Sequence, residues 1–340
     1  MAWDIAARYG PYGEPAVLLD YGDSGLGKTT GLLRSFPRCI WMAPRGGLKP
    51  GIALCGYSPL QQRVQTIWDC FAYVQHLYNS CNGELERLWQ EYDAIGVDDW
   101  SVIMERSAGI IKQRYSGWDV WTTLLDLVLV FRDMVRDMGL HCVITSHEMP
   151  PGIDPKTGQK YKGGPELPSK KHVRKLAHVA DTTVRSSLEP GRIPHSGVWR
   201  CDPDDPDYHY KDRHNIACKV GPMNAGELLR EAGYPIRRLP GCEWFDEAAE
   251  TIAQGVLQKE GEPDLAAWRV ECMRRAATNL LDMKVPEAHV LWVVQDGVDR
   301  AEIRINKRAD VQRRLGFSPS GGISTAGGLS SSGILTPQGS

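Results

Sequence analysis

Residues 16–31, AVLLDYGDSGLGKTTG, decide how this chain is read. The apolar run Ala16-Val17-Leu18-Leu19 reads as a buried β-strand. It feeds Gly22-Asp23-Ser24-Gly25-Leu26-Gly27-Lys28-Thr29, which satisfies G-x-x-x-x-G-K-S/T at every fixed position. A helical segment, Thr29 to Phe36, follows. Strand, glycine-rich loop and helix in that order form a phosphate cradle, because a polyphosphate needs converging backbone N–H groups and the positive end of a helix. Glycines at 22, 25 and 27 let the chain wrap tightly around an anion. Lys28 is expected to reach the β- and γ-phosphates, and the Thr29 hydroxyl to ligate Mg²⁺. The expected nucleotide-binding residues are therefore Gly22, Asp23, Ser24, Gly25, Leu26, Gly27, Lys28, Thr29 and Thr30.

A P-loop needs a carboxylate partner for its metal. Tyr92-Asp93-Ala94-Ile95-Gly96-Val97-Asp98-Asp99 is a short apolar strand ending in two acids, which is the form of a Walker B element. An acid at the tip of the strand beside the P-loop strand holds Mg²⁺ through water, and Asp98 is assigned that role. Neighbouring side chains diverge on an extended chain. Asp99 is therefore expected to act separately, either orienting the attacking water or capping the next helix.

Composition narrows the class. The chain has 340 residues, 42% hydrophobic and 24% charged, enough for one large or two modest globular domains. The net charge of −2 gives no global basic field, so nucleic-acid contact would need a local patch. Nine scattered cysteines with no C-x-x-C pair read as reduced thiols of a cytoplasmic protein (host-cell cytoplasm if phage-encoded). No signal-peptide pattern opens the chain, and no 18-residue apolar run implies a membrane span.

Around the P-loop the elements read as follows. Tyr9 or Tyr12 is placed to stack on the adenine, or else lies in an edge segment. Cys39–Ala43 is a second strand, and Arg45 in the loop beyond it faces the nucleotide, a neighbouring subunit or solvent. Ligands in open α/β sheets bind beyond the carboxyl ends of the strands. Apolar spacing over 60–79 predicts a helix, with another through Leu85–Trp89. Val102–Arg114 and Trp118–Met138 are further helices, the second ended by Gly139. Leu140–His147 is a strand whose tip offers Ser146 and His147 as γ-phosphate sensors. Residues 149–175 read as a long flexible loop. From Lys156 to Lys175 it carries seven basic residues (Lys156, Lys160, Lys162, Lys170, Lys171, Arg174, Lys175) against Glu166 alone, a composition that suits a DNA backbone, with Tyr161 placed to stack on a base. Lys171–Ala177 reads as a helix and Val179–Arg185 as a strand. Trp199 with its neighbours and Asn215–Lys219 read as an edge hairpin. Lys211 and Arg213 beside it are either cations for a γ-phosphate across a subunit boundary or members of a hairpin salt-bridge set.

With these motifs placed, residues 16–240 resemble the RecA-like core ATPases, and within them phage-type single-strand annealing and recombination ATPases. The resemblance implies an α/β fold with a mostly parallel sheet flanked by helices and an edge hairpin. It implies ATP and Mg²⁺ as cofactors, and catalytic or sensing roles for Lys28, Asp98, Asp99, Ser146, His147, Lys211 and Arg213. It also implies single-stranded DNA as a partner, through 156–175, and a homo-oligomeric ring or filament. The chain departs from the group after its second strand, where Met42-Ala43-Pro44-Arg45 stands in place of an acidic pair. Either Asp99 activates water or hydrolysis is slow. No N/T-K-x-D guanine motif occurs, so ATP is expected over GTP. The expected organisation is an ATPase core over 1–240, a helical appendage over 241–316 with a basic end at Lys307, Arg308, Arg313 and Arg314, and a disordered Gly/Ser-rich tail over 317–340. The competing readings are a helicase-like or packaging motor or loader, and an assembly protein switched by ATP with slow turnover.

Overall fold

The computed structural model describes residues 13–49, 51–52, 59–82, 84–166, 177, 179–188, 197–213, 217, 219–234, 236–238, 295–300 and 302–303. Tyr9, Tyr12, the 171–176 part of the expected helix, the four basic residues from Lys170 to Lys175, the basic end at 307–314 and the tail lie outside these residues.

The chain opens with β1 (Val17–Tyr21) and α1 (Lys28–Ser35), followed by β2 (Cys39–Ala43) and β3 (Gln61–Arg63). Next come α2 (Ile67–Ser80), α3 (Leu85–Glu91), β4 (Ala94–Val97), α4 (Trp100–Ile111), α5 (Asp119–Asp137) and β5 (His141–Ser146). Four two-residue strands lead out of β5: β6 (Glu148–Met149), β7 (Gly152–Ile153), β8 (Lys160–Tyr161) and β9 (Gly164–Pro165). The sheet resumes with β10 (Thr182–Ser187), β11 (Val198–Arg200), β12 (Lys211–Asp212) and β13 (Val220–Pro222), and α6 (Ala225–Glu231) follows.

The main sheet runs β13-β11-β10-β1-β5-β4-β2-β3, with β12 also on β10. From β10 to β3 every pairing is parallel; β11, β12 and β13 form an antiparallel edge. This is the α/β layout expected from the sequence, a mostly parallel sheet with an antiparallel edge. One expectation about it is corrected. β4 does not lie beside β1; β5 stands between them, pairing Asp20 with Thr145 on one side and Val97 with Ile144 on the other. Apolar strand sequences specify burial but not their order, which the helical crossovers decide.

Alternation along β1 builds two cores. Val17, Leu19 and Tyr21 join Ile40, Met42, Ile95, Val97 and Ile144 under α2, α4 and α5. Ala16 and Leu18 join Trp41, Val143, Val184 and Trp199 under α1 and α6. Each fully buried aliphatic side chain contributes about 1.5–3 kcal/mol. Gly96 is required by the second core, since a Cβ there would lie 2.5 Å from the Trp41 ring.

Three further expectations change. Residues 60–79 are not one helix: 61–63 pair with β2 as an edge strand, and the helix starts at Ile67. The cause is a capping box at Thr66, whose N–H donates to the Asp69 carboxylate at 2.8 Å. The stretch after β5 is not a loose loop over 148–165. β6 pairs with β9 and β7 with β8, and Gly163 is bonded to the 207–209 turn through its N–H to the Asp207 carbonyl at 2.8 Å. The partner of β11 is β13, just beyond the expected 215–219 strand, of which only residues 217 and 219 are described. Within the expected helical appendage, 295–300 is helical, and its Gln295, Asp296, Val298, Asp299 and Arg300 are all buried. Asp299 meets Arg34 of α1 at 2.5 Å, Asn224 donates to Asp296 at 2.7 Å, and Arg300 lies 3.3 Å from Asp296.

Candidate nucleotide-binding site

The loop between β1 and α1 has the conformation its glycines were expected to allow. Gly25 and Gly27 have φ of 81° and 88°, in the left-handed region that side chains disfavour. Gly27 is the N-cap of α1, so no side chain caps the helix, and its first turn carries no acid. The orphan N–H groups of that turn remain for an anion, with no acid of the helix itself set against it. Gly22 is held between Leu26 and the Ser186 carbonyl, each 3.0 Å from where a Cβ would sit. Asp23, Ser24 and Gly25 form the exposed lip of the loop; Leu26, Gly27, Lys28 and Thr29 are half-buried and Thr30 is buried. The Lys28 ammonium donates to the carbonyls of Gly22 and Asp23, both at 2.7 Å, which coils it over the cradle.

The carboxylate partner arrives from across the sheet. Asp98 follows β4, tied to β2 by its N–H to the Met42 carbonyl at 3.0 Å. The Thr29 hydroxyl lies 3.1 and 3.0 Å from its two carboxylate oxygens. Thr145, at the end of the interposed β5, also donates to Asp98. Burial pushes the Asp98 carboxyl up to about 6, against the pull of the Thr145 hydroxyl.

Of the two roles offered by the sequence, the structure shows Asp99 in the capping one. Its carboxylate caps α4 by accepting from the Ser101 N–H at 2.8 Å, and its other oxygen lies 2.5 Å from His147 Nε2. Burial raises the Asp99 carboxyl, opposed chiefly by His147. The Asp98–Asp99 peptide is cis. Ser146 is buried and turns inward, 3.0 Å from the Ser101 hydroxyl, while Ser101 accepts the His147 N–H at 2.9 Å. Of the two expected sensors, only the His147 side chain is partly exposed at this edge, at 34%. Ser146 lies beneath it, bonded to Ser101.

Lys211 and Arg213 are not brought to this chain's own P-loop. Register puts Lys211 opposite Thr183 and Asp212 opposite Thr182, at the start of β10, whereas the P-loop leaves the far end of β1. There Lys211 donates to the Ala180 carbonyl at 2.6 Å, and Arg213 lies 3.5 Å from Asp181. Arg45 is exposed beyond β2, on the P-loop edge.

Sequence reasoning missed Thr145, Ser101 and Asp20. Thr145 carried a signal, a hydroxyl one residue before the predicted sensors on a neighbouring strand. Ser101 carried none. Asp20 is an acid within an apolar strand, on the α1 face of β1, and it is completely buried.

Among the described residues no cluster of three or more His, Cys, Asp or Glu is arranged to hold a metal. That donor set fits Mg²⁺, which takes one or two protein oxygens and completes its shell with water and phosphate. Uncapped α1, the left-handed glycines, and Thr29 facing Asp98 together fit a magnesium–nucleoside triphosphate.

No protein-family model matches the chain, and neither does any curated protein. Among solved structures, the chain is similar to a KaiC-like protein from the hyperthermophilic archaeon Pyrococcus horikoshii OT3. That match has 12% identity and a TM-score of 0.31, and covers 56% of this chain and 80% of that one. Among the described residues no helix is long and apolar enough to cross a membrane.

Proposed function

We propose that the chain is a Mg²⁺-dependent P-loop ATPase. The observation that carries this reading is Thr29 and Asp98, 69 positions apart in sequence, meeting at 3.0 Å beside an uncapped helix start. Bound nucleotide supplies the scissile phosphoanhydride, and Mg²⁺ supplies charge neutralisation at its oxygens. Gly22 to Thr30 hold the phosphates, Lys28 exchanges two carbonyls for phosphate oxygens, and Thr29 with Asp98 holds the ion. Asp99 and His147, paired at the open edge, orient the attacking water. Lys28→Ala should abolish turnover, measured as phosphate release. Undiminished turnover in that variant would overturn the assignment.

The finer reading is action on single-stranded DNA as a recombination or annealing ATPase, in a ring or filament where Lys211 and Arg213 serve a neighbour. It rests on the order of motifs and the basic 156–175 stretch. The competing reading is an assembly protein switched by ATP, and one observation weighs against the DNA reading. Lys160 is paired with Asp207 at 2.8 Å and Lys162 with the Asp205 carbonyl at 2.5 Å, so two of the basic residues are turned toward an acidic turn of the same chain. Comparing phosphate release with and without single-stranded DNA separates the two. Stimulation together with salt-sensitive binding supports the DNA reading; neither effect, with ATP-dependent oligomers, supports the switch. A variant lacking the charges of Lys170 and Lys171 should lose DNA binding but keep nucleotide binding.

A further inference from the structure

Asp20 is the one acid in β1, and its carboxyl lies under the P-loop with no exposure to solvent. One oxygen accepts from the Ser186 hydroxyl at 2.5 Å. The other, Oδ2, is buried and faces the indole N–H of Trp199, which favours the carboxylate although the two fall short of hydrogen-bond geometry. Ser186 also forms the floor of the loop, since its carbonyl limits the space at Gly22. The charged groups acting on Asp20 are Lys28 of α1, which favours the carboxylate, and Asp98 beyond β4, which opposes it; β10 and β11 present only the neutral Ser186 and Trp199. Thr145 of β5 and Val184 of β10 flank it in register. This leaves a buried carboxyl whose main compensating charge is the lysine expected to turn toward the phosphates.

We propose that Asp20 takes up a proton when a nucleotide phosphate enters the P-loop, so that binding is coupled to proton uptake and weakens as pH rises. The inference rests on the nucleotide reading above and deepens it. Phosphate brings negative charge next to a carboxylate in a water-poor site and draws off Lys28; both disfavour the ionised form. In the empty protein burial holds this carboxyl at about 7, well above the usual carboxylate range, so the coupling operates near neutrality. Below that pH Asp20 is already neutral and binding takes up little. Above it each bound nucleotide must recruit one proton, and affinity falls about tenfold per pH unit until the raised pKa of the bound state is reached. Asp20 acts through the loop floor and Lys28 and is a positioning residue.

The test is calorimetric titration of the full chain with ADP in EDTA, from pH 6 to 8.5, in pairs of buffers with different ionisation enthalpies. Excluding metal keeps Asp98 from contributing through its ion. The expected result is proton uptake that rises through pH 7 toward one per site, beyond the contribution of the ADP phosphate itself. Asp20→Asn should bind ADP with only the phosphate's own contribution and a flatter pH profile. Ser186→Ala keeps the carboxyl but removes its donor, and should move the uptake midpoint to higher pH, a shift that a merely structural role would not produce. ADP binding without excess uptake, or uptake that survives in Asp20→Asn, would overturn the proposal and leave the nucleotide reading standing. If ADP does not bind at any pH, the nucleotide reading fails and the inference fails with it.

Discussion

Asp20 and His141 sit at opposite ends of neighbouring strands and bias the protein's pH response in opposite senses. Burial lifts Asp20 in the folded state from 3.8 to about 7, so the fold binds the extra proton and its stability declines as pH rises across that interval. Burial lowers His141 from 6.5 to about 4, so the fold excludes a proton and loses stability as pH falls through the same range. The Asp20 shift corresponds to at most about 4 kcal/mol. Asp20→Asn should therefore be more stable than the parent by about 2 kcal/mol at pH 8, with the gain vanishing near pH 4. Urea denaturation at the two pH values checks this, and a gain independent of pH would refute it. At the metal end, Asp98→Asn retains a shape that both Thr29 and Thr145 can bond but removes the anionic ligand. It should keep nucleotide binding in EDTA and lose the tightening by Mg²⁺, read by fluorescence titration of a labelled ATP analogue.

Elements differ in how openly the sequence announces them. The P-loop was legible because its glycines meet a backbone demand within eight residues, and Asp98 because an acid ends a short apolar strand. The start of α2 was misplaced because apolar spacing continues upstream through Leu60 and Val64, while the deciding signal is the Thr66–Asp69 pair. Removing it by Asp69→Ala should cost about 1 kcal/mol of stability and leave nucleotide affinity unchanged, as read by denaturant midpoint and ligand titration. The interposed β5 was not legible, because parallel neighbours are chosen by crossovers rather than by strand composition. Nor was the ordering of 148–165. Lysines in a Pro- and Gly-rich stretch look solvated until Asp205 and Asp207, some 45 positions later, are seen to face two of them.

At the scale of the whole molecule, the P-loop helix is anchored by a remote segment. Arg34 has 1% side-chain exposure and Asp299 has 0%, and Arg34 also donates to the Met223 carbonyl at 2.9 Å. Breaking one side of a buried ion pair costs about 3–5 kcal/mol because the remaining charge is stranded. Ending the chain at residue 294 should destabilise the ATPase core by an amount of that order. Arg34→Met in the shortened chain should recover part of the loss. Thermal melts of the four combinations measure the coupling, and additive effects would show that the pair carries none.

The same pair sets a schedule for synthesis. The partners are separated by 265 positions, so at about 5–20 residues per second the ribosome delivers Asp299 roughly 13–50 s after Arg34. The P-loop helix is thus among the first elements made and among the last to be neutralised. During that interval the guanidinium lacks this carboxylate, which arrives only after most of the chain has been made.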